Sequence, residues 1–106
     1  MFNLLKKDEK KVIHVNDMDN LIGQVELIDI REPYEYQMGS LKTAKNIPMG
    51  KLLTNPEKYL SKDKSYYIMC QSGARSTSAT RTLTKQGYQV INVAGGIGSY
   101  VGAKRK

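Results

Sequence analysis

Apolar residues in this chain fall into short dense runs. Between the runs lie polar stretches punctuated by proline and glycine, a rhythm that predicts strands alternating with helices. Residues 11–15 (Lys-Val-Ile-His-Val) form the first strand-like run. Asn16 is placed to cap a short helix from Asp17 to Leu21 or Ile22, with aspartates in its first turn and Gly23 to end it. Residues 24–30 are the second strand, and Leu27, Ile28 and Ile30 nearly fill it, as expected for a strand covered on both faces. Residues 31–38 read as a short helix with Pro33 in its first turn and Gly39 closing it. A brief strand over 44–47 precedes Pro48, and 48–61 should hold a loop and one or two helical turns, with a helix start near Pro56. Residues 65–69 and 89–93 are the next strands, and a helix over 74–86 lies between them, stopped by Gly87. Its four threonines are mediocre helix formers, but Ala79 and Leu83 make a buried stripe. Small Ser76 and Thr80 beside that stripe let the helix sit close to the sheet. Gly95-Gly96 is a turn, and 97–101 a last helical turn. The alternation implies one α/β domain with a mainly parallel central sheet and helices on both faces.

Composition narrows the picture. A chain of 106 residues buries one core and not two, and 40% hydrophobic with 25% charged residues is ordinary for a soluble protein. No apolar run approaches the ~20 residues that a membrane helix needs. The start, Met1-Phe-Asn-Leu-Leu-Lys-Lys, lacks the apolar length and cleavage site of a signal peptide, which points to a cytoplasmic protein with no membrane partner. Seventeen basic against ten acidic residues give +7, a balance that favours anionic partners. The densest basic groups are Lys6-Lys7, Lys10-Lys11 and Lys104-Arg105-Lys106, near ends (1–10 and 102–106) that need not be ordered, so nucleic-acid binding is not favoured. One histidine, His14, and one cysteine, Cys70, cannot build a zinc site or an internal disulfide, and no metal or cofactor is expected.

Candidate chemistry concentrates in Ser65-Tyr-Tyr-Ile-Met-Cys70-Gln71-Ser72-Gly73-Ala74-Arg75-Ser76. A buried strand ends at the cysteine, a short loop follows, and a helix begins. In open parallel sheets, ligands bind outside the carboxyl ends of the strands, where Cys70 falls. The first N–H groups of a helix are unpaired and carry about half a positive charge, and a curled loop deepens them into an anion nest. A thiol at the floor of such a nest is favoured as thiolate, and Cys70 is read as a nucleophile. A lone cysteine after an apolar run is more often a buried structural residue; the loop and the helix start reverse that reading here.

Three segments together resemble the rhodanese family of sulfurtransferases. They are Leu27-Ile-Asp29-Ile-Arg31-Glu32-Pro-Tyr-Glu35-Tyr36-Gln-Met-Gly39 with Ala44-Lys-Asn46-Ile47-Pro48, then Cys70 to Ser76, then Asn92-Val93-Ala-Gly95-Gly96-Ile97 with Tyr100. Their order and spacing match a single rhodanese-like domain over residues 12 to 101. Ser40, Thr43 and Tyr100 depart from the family's common histidine, glycine and tryptophan. The resemblance implies that Cys70 takes the outer sulfur of a small anionic donor such as thiosulfate, becomes a persulfide, and passes that sulfur to a thiophile such as cyanide or a cellular thiol. It implies that Gln71, Ser72, Gly73, Ala74, Arg75 and Ser76 bind the substrate, that Asp29 and Arg31 belong to a supporting shell, and that Gly95-Gly96 lies near the site. With no second cysteine, the acceptor comes from outside, a small thiol or a sulfur-relay protein.

Alternatives stand beside this reading. Arg31 and Glu35, one helical turn apart, would by themselves form a weak exposed ion pair. Arg75 can equally brace the loop or touch substrate. Cysteine phosphatases also close an anion nest with arginine but keep one residue more in the loop; the shorter loop here makes a smaller bowl. A non-catalytic module of the same fold, in which persulfidated or oxidised Cys70 is a signal, and recruitment of RNA by the basic ends complete the set. Oligomeric state is not legible from the sequence.

Overall fold

The dense apolar runs become the five strands of one sheet: β1 (Val12–His14), β2 (Glu26–Asp29), β3 (Lys45–Asn46), β4 (Ser65–Met69) and β5 (Gln89–Ala94). The computed structural model describes residues 11–106; the expectations for 1–10, including the lysines there, lie outside the described residues. Strand order is β1-β5-β4-β2-β3, and every ladder is parallel. The β2–β4 register sets Asp29 level with Met69, and Ile30 N–H donates to the Met69 carbonyl at 2.9 Å. The chain therefore leaves both strands at one edge, side by side, with Arg31 and Cys70 next to each other's exits.

Three helices follow the strands: α1 (Pro33–Gln37), α2 (Met49–Thr54) and α3 (Ala74–Lys85). Single 3-10 turns occupy Val15–Asp17, Pro56–Lys58 and Ile97–Ser99. Period-two alternation in the strands splits the core into two layers. Ile28, Tyr66, Ile68 and Val90 face one side, under Leu52 of α2 and Ala79 and Leu83 of α3. Leu27, Met69 and Val93 face the other, under Met18, Ile22, Leu41, Ile97 and Tyr100, with Tyr36 of α1 against them. The buried line of α3 is Ser76, Ala79, Thr80 and Leu83, the stripe its sequence predicts. The sheet is thus covered on both faces, as the alternation of elements requires. No helix among the described residues is long and apolar enough to cross a membrane.

The structure departs from the local signals in three places, two of them through distant partners and one through a neighbour two residues away. The helix expected over 17–22 is absent; a 3-10 turn, Val15–Asp17, stands before a series of turns. Asn16 does not cap it. Its Nδ2 donates to the Ser99 carbonyl at 3.0 Å and its Oδ1 accepts from Val101 N–H at 2.9 Å, while His14 Nδ1 accepts from Asn16 N–H. The same bond to Val101 accompanies the early end of the last helical turn, at Ser99 instead of 101. Helix α1 begins at Pro33 rather than Arg31, because Arg31 N–H donates to Asp29 Oδ1 at 3.1 Å and leaves the helical path. At the C-terminus, Arg105 bridges to Leu41 in antiparallel fashion, Lys42 N–H donates to the Lys104 carbonyl at 2.7 Å, and Lys106 N–H to the Ser40 carbonyl at 2.9 Å.

Candidate active site

The site is assembled where β4 ends and α3 begins. Gly73, at φ +104, turns the loop inward as the residue before α3, a conformation that a side chain at this position would resist. The turn aims two backbone donors at one atom: Gly73 N–H lies 3.1 Å and Ser76 N–H 3.3 Å from Cys70 Sγ. Ser76 Oγ, fully buried, stands 3.5 Å from the sulfur. The carbonyl of Gly73 is drawn away from the bowl by Thr77 N–H at 3.0 Å and Thr77 Oγ1 at 2.7 Å. On the other flank, Ile97 N–H holds the Cys70 carbonyl and Gly98 N–H the Gln71 carbonyl, each at 2.9 Å. The backbone groups left around the sulfur are therefore donors, while the Ser76 hydroxyl accepts from the Cys70 thiol and donates to the Gly73 carbonyl at 3.2 Å.

Two effects compete for the Cys70 proton. Burial, with the residue 1% exposed and packed among the core of the α3 face, pushes the thiol up. The Ser76 hydroxyl and the amides of Ser76, Gly73 and Ser72 pull it down, and the net direction is below the ordinary cysteine value. Gln71, Ser72 and Ala74 are exposed on the rim. The Gly95-Gly96 turn does lie against the loop. A Cβ on Gly96 (φ +61) would sit on the carbonyl groups of Cys70 and Gln71, so only glycine allows the two segments this close.

The arginines are spent on carboxylates. Arg31 Nε and Nη2 reach Asp29 Oδ1 and Oδ2 at 3.0 and 2.9 Å, its Nη2 also donates to the Gly39 carbonyl, and its Nη1 to Gln71 Oε1 at 3.2 Å. Asp29 is fully buried and accepts from Ser40 Oγ at 2.8 Å, so serine supplies a donor to this carboxylate in the turn where the family commonly has histidine. Asn46 Nδ2 ties the Asp29 and Arg31 carbonyls together at 3.0 and 2.9 Å. Arg75 binds Glu35 through two parallel contacts of 2.8 and 3.0 Å. The alternative Arg31–Glu35 pair is therefore not formed: Arg31 turns back to Asp29, two residues before it, and the loop brings Arg75 to Glu35. The Arg75 guanidinium, followed by a bond to the Glu32 backbone, holds the Glu35 carboxyl down at about 2 against the cost of burial.

All the expected site residues meet at this edge: Cys70 and its loop at the centre, Arg75 braced at the mouth, and Asp29 with Arg31 behind Gln71. Sequence reasoning passed over Glu35, Ser40, Asn46 and Gly98 as site residues. Glu35 carried a signal, a carboxylate on the helix following Arg31, but its partner lies 40 residues away. His14 ends β1 and accepts from Asn16, so it serves the turn and not the thiol. With Arg31 and Arg75 neutralised, charge on the sulfur is met by amides, a hydroxyl and the α3 terminus. That arrangement suits an anionic sulfur nucleophile better than a doubly charged phosphoryl group.

Comparison with known proteins agrees with the geometry. The chain is 41% identical over 78 residues to "Putative sulfurtransferase YtwF" of Bacillus subtilis, spanning 72% of this chain and 73% of that one. It is 42% identical over 72 residues to a protein of Allochromatium vinosum named "Sulfurtransferase", spanning 67% and 66%. Among solved structures, a rhodanese-like domain protein from Staphylococcus aureus superposes with a TM-score of 0.80 at 28% identity, over 91% of this chain and 96% of that one. The model of the rhodanese-like domain matches residues 14–103, which takes in the strand β2 exit, the cysteine loop and the glycine turn that pins it; the chain belongs to the rhodanese-like domain family.

Proposed function

We propose that this protein is a sulfurtransferase that moves a sulfane sulfur from a donor such as thiosulfate to a thiophilic acceptor through a persulfide on Cys70. The observation that carries the reading is the convergence of the Gly73 and Ser76 amides on one sulfur that lies at the end of a parallel strand. In the first half-reaction the Cys70 thiolate attacks the outer sulfur of thiosulfate. A bond forms between Sγ and that sulfur, the bond to the sulfonate sulfur breaks, and its electron pair leaves with sulfite. The site needs no general acid, because sulfite departs as a stable anion. In the second, a thiolate or cyanide attacks the outer sulfur of the persulfide, the S–S bond breaks, and its electron pair returns to Cys70.

Attack of one anion on another is slow in water, and the bowl offsets that repulsion with dipoles already in place. Gly73 and Ser76 hold charge on Sγ; Gln71, Ser72 and Ala74 form the rim that the donor crosses. Arg75, tied to Glu35, closes the mouth, and Asp29 with Arg31 positions Gln71. The burial of Cys70 favours a donor whose reacting end is a single atom. It also weighs against the signalling alternative, since oxidation to sulfenic acid favours accessible thiolates. The chain holds one cysteine, so the acceptor is external, a small thiol or a relay protein, as in the reducing cytoplasm where we place this activity.

Mass spectrometry of the reduced protein after thiosulfate treatment should show the added mass of one sulfur atom on Cys70. The addition should be absent from Cys70→Ala and removed by cyanide. A folded, reduced sample that gains no mass with thiosulfate or any other sulfane donor ends this reading.

A further inference from the structure

Beside the loop lies a cleft of about 370 Å³ that the chemistry above does not use, walled by Arg31, Met38, Gly39, Gln71, Gly98 and Arg105. Gln71 is its shared wall with the cysteine loop, being the residue that follows Cys70. Arg31 is neutralised by Asp29, and Glu35, also on the cleft, by Arg75. Arg105 pairs with no carboxylate among the described residues; one of its nitrogens donates to the Ile97 and Tyr100 carbonyls at 3.2 Å each, and its guanidinium stands 5.7 Å from the Tyr100 ring centre. Those two carbonyls, the ring and the bridge to Leu41 fix the group while leaving its other nitrogen and Nε to donate elsewhere. One uncompensated, pre-positioned guanidinium therefore faces a cleft that adjoins the rim of the bowl. On the same cleft, Met38 is 85% exposed and offers an apolar lip.

We propose that this cleft is the acceptor subsite, and that Arg105 is a specificity-determining residue that binds the carboxylate of a low-molecular-weight thiol. The inference rests on the sulfur-transfer reading for its chemistry but not for its binding. A fixed fork of N–H donors matches a carboxylate in geometry and charge, and the volume suits a ligand the size of a short peptide. With the carboxylate held at Arg105 and the hydrocarbon against Met38, the thiol end is directed past Gln71 toward the persulfide. The acceptor thiolate RS⁻ attacks the outer sulfur of Cys70–S–SH, the bond between that sulfur and Sγ breaks, and the products are RS–SH and the Cys70 thiolate.

The test compares glutathione with its diethyl ester, the same thiol with its carboxylates masked. Protein loaded with one sulfur is mixed with each, and loss of the added mass is timed for wild type, Arg105→Gln and Arg105→Lys. Wild type should discharge to glutathione about 10-fold faster than to the ester, a preference in the range expected of one charge-assisted contact at a partly exposed site. Arg105→Gln should bring the ratio near one, and Arg105→Lys should keep part of it. Comparing ratios cancels any general loosening of the C-terminal residues. A ratio unchanged in Arg105→Gln overturns the proposal. A second arm uses S-methylglutathione, which cannot accept sulfur: its binding, followed by NMR shifts of the Gly39, Gln71 and Gly98 amides, should be lost in Arg105→Gln. Absence of those shifts in wild type defeats the subsite whatever the chemistry. Binding that depends on Arg105 in a protein that never forms a persulfide keeps the subsite and removes the sulfur-transfer reading.

Discussion

Two carboxylate–guanidinium pairs flank the cysteine loop, alike in chemistry and opposite in setting. Asp29 and Arg31 have side chains 0% and 5% exposed, whereas Glu35 and Arg75 are 19% and 38% exposed. The buried pair is the centre of a network: Ser40 Oγ, the Gly39 carbonyl and Gln71 Oε1 all join it, so it fixes the β2 exit to the following turn and to the loop's first rim residue. The exposed pair stands nearly alone and links α1 to α3 across the mouth. Burial decides what each can be. Removing one partner from the dry pair strands a charge that water cannot reach, and removing one from the wet pair leaves a charge that water will accept.

The contrast is broken most forcefully from the buried side. Arg31→Met leaves the Asp29 carboxylate buried with only Ser40 and the Arg31 backbone N–H, and should destabilise the fold by about 3–5 kcal/mol in urea unfolding. Asp29→Asn combined with Arg31→Met removes both charges and should recover a good part of that loss. If the double variant loses as much as the single ones added together, the two residues do not act as a unit. If Arg31→Met alone costs under ~1 kcal/mol, the buried pair is no different from the exposed one.

On the exposed side the expected effect is smaller and depends on pH. Glu35 titrates at about 2 in the folded protein, below its ordinary value of 4.5. A carboxyl depressed on folding stabilises fully above its unfolded value and loses that contribution as pH falls through the folded one. Glu35→Gln should therefore cost about 1 kcal/mol at pH 7, discounted for the solvent around Arg75, and the gap to wild type should narrow steadily below pH ~4.5. Parallel urea titrations at pH 7 and pH 3 measure it. A gap that stays constant with pH would assign the loss to the uncharged part of the side chain, because the bonds from Arg75 and from the Glu32 N–H both favour the carboxylate and both fade as it protonates.

The same contrast sorts what the sequence disclosed from what it withheld. The cysteine loop was readable because its causes are local: strand β4 ends, Gly73 supplies the turn, and Ser76 lies in the first turn of α3, all within a few residues of the sulfur. The α3 stripe was readable from its spacing for the same reason. Local spacing offered Glu35 only Arg31, four residues before it, as an alternative partner, while Arg75 is brought near only by folding. Asn16 failed as a helix cap for the same kind of reason, its side chain being taken by Ser99 and Val101, which are distant in sequence. Burial of Cys70 was the further unknown. A strand end and a helix start fix where the amides point, but the packing of both sheet faces sets how much of the sulfur meets solvent.

The smallest effect sharpens the buried side. The turn that carries Gly39 and Ser40 to Asp29 runs on to Thr43, which sits at φ +69, the one non-glycine residue with positive φ among those described. Glycine is the family's common residue at this position, and the backbone explains why: a Cβ in left-handed geometry costs roughly 1–2 kcal/mol, and a branched one more than a linear one. Thr43→Gly relieves that strain but adds freedom to the unfolded chain worth about 0.5–1 kcal/mol. The difference should be a net gain of about 0.5–1 kcal/mol and a Tm higher by a few degrees. Thr43→Ala keeps the Cβ and sheds only the branch, so it should recover a minor part. Equal gains from both substitutions would move the cause from the backbone to the threonine side chain, and a loss from glycine would mean that the turn holds Ser40 in place through that side chain after all.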